Sequence, residues 1–227
     1  LVLPRGAVAG RRARPWGPPF AIGSAAHRRP RQREGHRGRI GLDTVEDVFR
    51  AVGEQLGPYL CRVPDGEVGG RRLWISWQYP LLRSSVFLRP DPSGAVRPTN
   101  RFPLLTLADG VAPSDVRFGE LGYAREARAS YLDFAAARQK GDLPEGVRFQ
   151  VCLPTPMASA FMYVSPAARD AYVPAYERAL RRALGDTVAA IPHAQLAIQW
   201  DVCQEVLVYE GVFPDRPADY KQRIVAE

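Results

Sequence analysis

Two short apolar runs separated by a long helical segment constrain the fold of this chain more than any other feature. The runs "VRFQVCL" (147–153) and "AQLAIQW" (194–200) each have the length and composition of a buried strand. Between them, Tyr176, Leu180 and Leu184 recur at helical spacing. Because strands that alternate with helices form parallel sheets with crossover helices, the sequence predicts an α/β fold.

The same alternation extends toward the N-terminus. Helices are predicted at 45–56 and 120–140, and another is predicted to begin within 215–227. Gly185 is predicted to end the helix between the two apolar runs, and residues 73–102 are interpreted as a long excursion without regular structure. The predicted strands lie near Ile40 and at 59–63, 103–108, 149–153 and 194–200.

Basic charge is concentrated in residues 1–39, which contain ten arginines against one acidic residue, whereas the remaining chain is near neutral. The segment is also rich in proline and glycine, so we predict a disordered arm followed by a folded part over 40–227. An arm that binds nucleic acid is the alternative. Since no aromatic or helical recognition pattern accompanies the arginines, nucleic acid is not the expected partner.

The cysteines and the hydropathy pattern bear on the cellular compartment. Cys61, Cys152 and Cys203 are spaced too widely for a disulfide framework or a zinc ribbon, which favours a reducing cytoplasm. No apolar stretch reaches the roughly 18 residues that a membrane span needs, so no membrane partner is expected. A secretory signal is not indicated, because no continuous apolar run follows the N-terminal arginines.

Polar side chains follow the predicted strands at the points where the strands end. Ligands of α/β proteins bind beyond the carboxyl ends of parallel strands, so we predict that these side chains line a substrate pocket. The candidate substrate-binding residues are Asp65, Glu67, Thr155, Gln199, Asp201 and Glu205.

Structural interpretations of the same residues remain open. Asp201 is a favoured residue for capping the helix that follows it. Glu205 suits the first turn of that helix, where it complements the helix dipole. Cys203 is a weak metal candidate, because cysteine is more often a small buried filler. Asp201, Cys203 and Glu205 supply two zinc ligands at most from one turn, whereas a zinc site needs about four.

Three segments carry a resemblance to a known superfamily. "RVPDGEVGGRRLWISWQ" (62–78), "FQVCLPTPM" (149–157) and "IPHAQLAIQWDVCQEV" (191–206) resemble cobalamin-independent methionine synthase and uroporphyrinogen decarboxylase. The strongest similarity is to the uncharacterised members with methionine-synthase-like domains. The resemblance implies a (β/α)8 TIM barrel over about residues 40–227. In methionine synthases a zinc ion activates a homocysteine thiolate, and a folate cofactor donates the methyl group.

The resemblance also assigns roles to individual positions. Asp201 matches a strand-end aspartate that contacts the amino group of the substrate, and Thr155 resembles the threonine of a substrate loop. Asp65 and Glu67 match the "PDGE" sequence of the near relatives. The glycine of the substrate loop and the glutamate that follows the strand-end aspartate are replaced here. The zinc ligands of the superfamily, a His-x-Cys pair followed by Glu and Cys, have no counterpart before Glu227.

The implied function is methyl transfer to a small thiol or amino-acid substrate, with zinc and a folate methyl donor as expected cofactors. The alternatives are a truncated or degenerate homologue without catalysis and a uroporphyrinogen-decarboxylase-like enzyme. A complete barrel usually takes about 250 residues, so we expect about five of its eight strands here. Missing strands, or a second copy of the chain in a homodimer, are then expected to pair with the edge of the sheet.

Overall fold

The computed structural model describes residues 42–96, 102–212 and 218–226, so the predicted arm and the predicted strand near Ile40 lie outside the described residues. Its strands are β1 (Arg62–Pro64), β2 (Leu88–Pro90), β3 (Leu105–Leu107), β4 (Arg148–Pro154) and β5 (Leu196–Asp201). Its helices are α1 (Val45–Leu56), α2 (Gln78–Arg83), α3 (Tyr123–Lys140), α4 (Pro156–Tyr163), α5 (Arg169–Ala190), α6 (Cys203–Tyr209) and α7 (Tyr220–Ala226). Within the described part of the chain, none of the helices is long and apolar enough to cross a membrane.

A three-stranded parallel sheet in the order β1-β4-β5 lies at the centre of the fold. β4 pairs with β5 from Phe149 opposite Leu196 to Pro154 opposite Asp201. The connection from β1 to β4 contains α3, and the connection from β4 to β5 contains α4 and α5. The predicted α/β class with parallel strands is therefore confirmed.

The strand predicted at 103–108 does not join this sheet. Its residues form β3, which pairs antiparallel with β2 and places Leu107 opposite Leu88. The prediction of a further parallel strand is wrong, because a short apolar run indicates a strand without specifying its partner. The interpretation of 73–102 as an excursion without regular structure is also wrong, since α2, β2 and a 3-10 turn at Trp74–Trp77 lie within it.

The apolar face of the parallel sheet packs against helices. Val63, Phe149 and Leu196 share this face because they are register partners across the three strands. The ring of Phe149 lies 6.4 Å from that of Phe49 in α1 and 5.5 Å from that of Phe134 in α3. Burying one such ring stabilises the fold by about 1.5–3 kcal/mol. Side chains alternate along a strand, so the intervening residues lie on the opposite, polar face.

Helix α5 continues beyond the position where the sequence pattern predicts its end. It passes through Gly185 to Ala190, so the prediction that this glycine ends the helix is wrong. A glycine inside a helix costs about 1 kcal/mol relative to alanine. The cost is borne because Tyr172, Tyr176 and Leu180 anchor the helix in the core. The helix predicted near the C-terminus is observed as α7.

Candidate functional site

The structure separates the predicted site residues into two groups. Asp65 and Glu67 line a small cavity beyond β1, and Gln199 and Asp201 lie on the polar face of the sheet beside it. Thr155 and Glu205 instead line a larger cavity next to α5.

The loop after β1 brings two carboxyl groups to the small cavity. The loop turns sharply, with φ of 75° at Gly66 and 48° at Glu67, and the Glu67 N–H donates to Asp65 Oδ1 at 3.0 Å. A Cβ atom at position 66 would lie 2.9 Å from Val48 Cγ2, so both the turn and the packing require glycine there. Glutamate rarely adopts a positive φ, so the turn holds Glu67 in an uncommon backbone conformation beside the cavity.

Asp65 anchors this loop through a buried hydrogen-bond network. The residue is 7% exposed. Arg71 Nη2 and Ser130 Oγ each donate to Asp65 Oδ2 at 2.7 Å, while Oδ1 accepts from the Glu67 N–H. Arg71 Nε also lies 3.5 Å from Glu126 Oε2. Because protein donors occupy both of its oxygens, the Asp65 carboxylate fixes the loop and Arg71 rather than facing a ligand alone.

The pKa of the Glu67 carboxyl group is shifted toward neutral pH. Burial, with a smaller contribution from the negative charge of Asp65, raises its pKa from 4.5 to about 7. The positive charge of Arg71 opposes this rise, and Asp201 adds to it. A carboxyl group that exchanges its proton near pH 7 is suited to general acid–base chemistry.

A row of polar side chains crosses from β4 to β5 on the polar face. Gln150 Nε2 donates to Gln199 Oε1 at 2.9 Å, and Gln199 Nε2 donates to Asp201 Oδ1 at 2.9 Å. The row therefore orients the Asp201 carboxylate. Asp201 does not cap the next helix, because Val202 occupies the capping position of α6 and makes no side-chain cap bond. The helix-cap interpretation of Asp201 is therefore wrong.

Cys152 and Cys203 lie near the site in different environments. Burial raises the pKa of Cys152 to about 11, against a hydrogen bond from Gln150 and with the help of the nearby carboxylates. Cys152 is thus a protonated thiol at neutral pH. Cys203 is exposed at the start of α6. Across residues 42–96, 102–212 and 218–226, no three His, Cys, Asp or Glu side chains come together as a metal site.

Sequence reasoning missed Arg71, Ser130 and Gln150, although two of them carry a signal. Gln150 interrupts an otherwise apolar strand, and Ser130 lies on the apolar stripe of α3. A polar residue in a buried pattern needs a hydrogen-bond partner, so both positions point to a polar site. Arg71 has no such signal, because the sequence does not distinguish it from the adjacent Arg72. In the structure, Arg72 pairs with the exposed Asp43 instead.

The volume of the small cavity limits what it can hold. The cavity measures about 20 Å³, close to the space of a single water molecule. In this conformation the cavity has room for one small polar group.

Comparison of the chain with protein-family models, with curated proteins and with solved structures found no match. The resemblance to the methionine synthase superfamily therefore stays a sequence-based prediction.

We expect Glu67→Gln to stabilise the protein at pH 8 relative to the native residue and to lose this advantage toward pH 4.5. Because the pKa is about 7 in the fold against an ordinary value of 4.5, the folded protein keeps a proton that the unfolded chain releases. The contribution of Glu67 to stability is thus fully present below pH 4.5 and is lost as the pH rises through about 7. Glutamine does not titrate, so urea unfolding over this pH range measures the difference.

The matched control for this pH dependence is Glu54→Gln, at an exposed position of α1. Its stability relative to the native protein should not change over the same range. A constant difference between Glu67→Gln and the native protein from pH 4.5 to pH 8 would contradict the raised pKa.

Proposed function

We propose that the chain binds a small amine-bearing substrate, such as an amino acid or aminothiol, at the carboxyl ends of the parallel strands. The observation that carries the proposal is the charge around the small cavity. Asp65, Glu67 and Glu126 line it, and Arg71 is the one cation among its described lining residues. Since Asp65 compensates the charge of Arg71, the remaining carboxylates attract an ammonium group.

Two carboxyl groups have different roles in this proposal. Asp201, oriented by Gln199, receives the ammonium group, in agreement with the role that the superfamily resemblance assigns to it. Glu67, whose pKa is about 7, accepts or returns a proton of the bound amine or thiol. The network of Asp65 and Arg71 keeps the loop of Glu67 in place, so ligand binding does not have to order this loop.

The fuller form of the proposal is a methionine-synthase-like enzyme of the cytoplasm, with these strands as part of a TIM barrel. Methyl transfer from a folate donor to a thiol would then require zinc ligands. The described residues do not bring three such ligands together. The described residues leave the outer edge of β5 unpaired, which supports further strands or a second copy of the chain at that edge.

Isothermal titration with L-homocysteine and with N-acetyl-homocysteine tests the amine-binding proposal. The acetylated compound lacks the ammonium group, so we expect it to bind at least about tenfold more weakly, a difference of about 1.4 kcal/mol. Asp201→Asn should remove most of this preference, whereas Asp186→Asn, at an exposed position of α5, should retain it. Equal binding of the two compounds by the native protein would refute the proposal.

A test for turnover separates the enzyme from the non-catalytic alternative. Binding that depends on the ammonium group, together with no methyl transfer to homocysteine from a folate donor when zinc is supplied, would favour a degenerate homologue that retains only the ligand site.

A further inference from the structure

A second, larger cavity lies between β5 and helix α5, on the side of the sheet that the helices cover. Its volume is about 350 Å³, within the roughly 300–1,000 Å³ typical of small-molecule sites. It shares no described lining residue with the small cavity, so it is a separate site. The apolar part of its wall is formed by Pro156, Leu180, Leu184, Trp200, Val202 and Ile224.

One buried carboxylate in the wall of this cavity is only partly satisfied. Glu205 is 7% exposed. Its Oε1 accepts a hydrogen bond from Thr155 Oγ1, whereas its Oε2 is buried and has no hydrogen-bond partner among the described residues. Thr155 is itself held in place, because its Oγ1 also accepts from the Ala158 N–H at 3.2 Å at the start of α4. A buried acceptor without a donor destabilises the fold, and a hydrogen-bond donor on a bound ligand would remove this cost.

The charges around the cavity favour a cation. The charged side chains in its described wall are those of Glu177, Arg181 and Glu205. Arg181 Nη2 already lies 2.6 Å from Glu177 Oε1, one turn away on α5, so these two charges compensate each other. The negative charge of Glu205 remains, beside a mainly apolar surface.

We propose that this cavity binds a small hydrophobic monocation, namely an amine whose ammonium group donates to Glu205 and whose apolar body packs on Trp200 and Leu180. The last torsion of a glutamate side chain is soft, so a small rotation of the Glu205 carboxylate brings its unpaired oxygen toward the ligand. The site is independent of the amine site at the small cavity, and either one can exist without the other.

Calorimetric titration of the full chain with 2-phenylethylamine and with the neutral 2-phenylethanol tests this site. The two probes have similar shapes but differ in charge, so we expect the amine to bind at least about tenfold more tightly. The amine should also change the tryptophan fluorescence, and Trp200→Phe should remove that change. Equal affinity for the two probes, or no binding of either, would overturn the proposal.

Charge variants locate the bound amine. Glu205→Gln should bring the two affinities to within about threefold of each other, and Glu210→Gln, at an exposed position past α6, should leave the preference intact. Asp201→Asn should leave the fluorescence change that depends on Trp200 intact. If Asp201→Asn abolishes the preference and Glu205→Gln does not, the amine occupies the small cavity and the second site is refuted.

Two further outcomes have a definite meaning. If Glu205→Gln does not fold, the fluorescence change that Trp200→Phe removes decides the proposal, because Trp200 lines this cavity and not the small one; an amine preference without that change would overturn it. If sedimentation shows self-association and the amine fails to bind the associated form, a second copy of the chain covers Trp200, and the cavity is an interface rather than a ligand site.

Discussion

Arg71→Met is expected to destabilise the protein by about 3–5 kcal/mol, the range found when one partner of a buried ion pair is removed. The Asp65 carboxylate is buried and would keep the hydroxyl of Ser130 as its remaining side-chain donor. The carboxyl groups of Glu67 and Glu126 line the same cavity, so their repulsion would be left uncompensated. Urea unfolding at pH 7 measures the loss.

The neighbouring arginine provides the matched control. Arg72 pairs with Asp43, whose side chain is 85% exposed, so Arg72→Met should cost no more than about 1 kcal/mol. Asp65→Asn combined with Arg71→Met should recover part of the stability, because it removes the unpaired charge. If the two single arginine variants unfold at the same urea concentration, the buried pair does not stabilise the fold as described.

Gly53→Ala is expected to destabilise the protein by about 1–3 kcal/mol or more, the cost of overpacking. A Cβ atom at position 53 would lie 1.8 Å from the backbone carbonyl oxygen of Asp142, in the segment that follows α3. A backbone atom cannot rotate away as a side chain can, so α1 would have to separate from this segment. Thermal unfolding would show a lower Tm.

Substitution of Gly185 by alanine should change the stability in the opposite direction. Gly185 also lies inside a helix, but no atom comes within 4 Å of a Cβ built there. Gly185→Ala should therefore stabilise the protein by about 1 kcal/mol through helix propensity alone. A Tm shift of the same sign in both variants would mean that the contact of α1 with the Asp142 segment is not tight.

The Arg71 prediction connects stability with the proposed function. The network that Arg71 completes also fixes the backbone turn at Gly66 and Glu67. Without this network, the turn would no longer hold the Glu67 carboxyl group, whose pKa is about 7, in a fixed position. If Arg71→Met stays folded in mild conditions, it should therefore also bind L-homocysteine more weakly, because the site would no longer be preorganised.

The long periodic elements and the strand ends were predictable from the sequence. Helices α3 and α5 bury stripes of aromatic and small residues at helical spacing, and β4 and β5 are apolar runs of strand length. Such elements can be predicted from local sequence because the direction of the side chains repeats with a fixed period in a helix and in a strand. The placement of Asp65 and Glu67 past the end of one parallel strand, and of Asp201 at the end of another, followed from the same pattern.

The partners of each element depended on contacts between distant parts of the chain. Local sequence indicates that 105–107 is a strand, but only tertiary packing pairs it with β2 rather than with the parallel sheet. Arg71 and Arg72 are chemically equal, and only the fold decides that one neutralises a buried aspartate while the other reaches a surface aspartate.

The sequence by itself determined the α/β class, the two principal helices and the presence of carboxyl groups at the strand ends. Only the tertiary structure decided that Asp201 lies on the polar face beside Glu67 whereas Thr155 and Glu205 line a separate cavity. The physical reason is that a strand sends successive side chains to opposite faces, and the helix after it turns Glu205 away from Asp201. Proximity in sequence therefore does not place two residues in the same site.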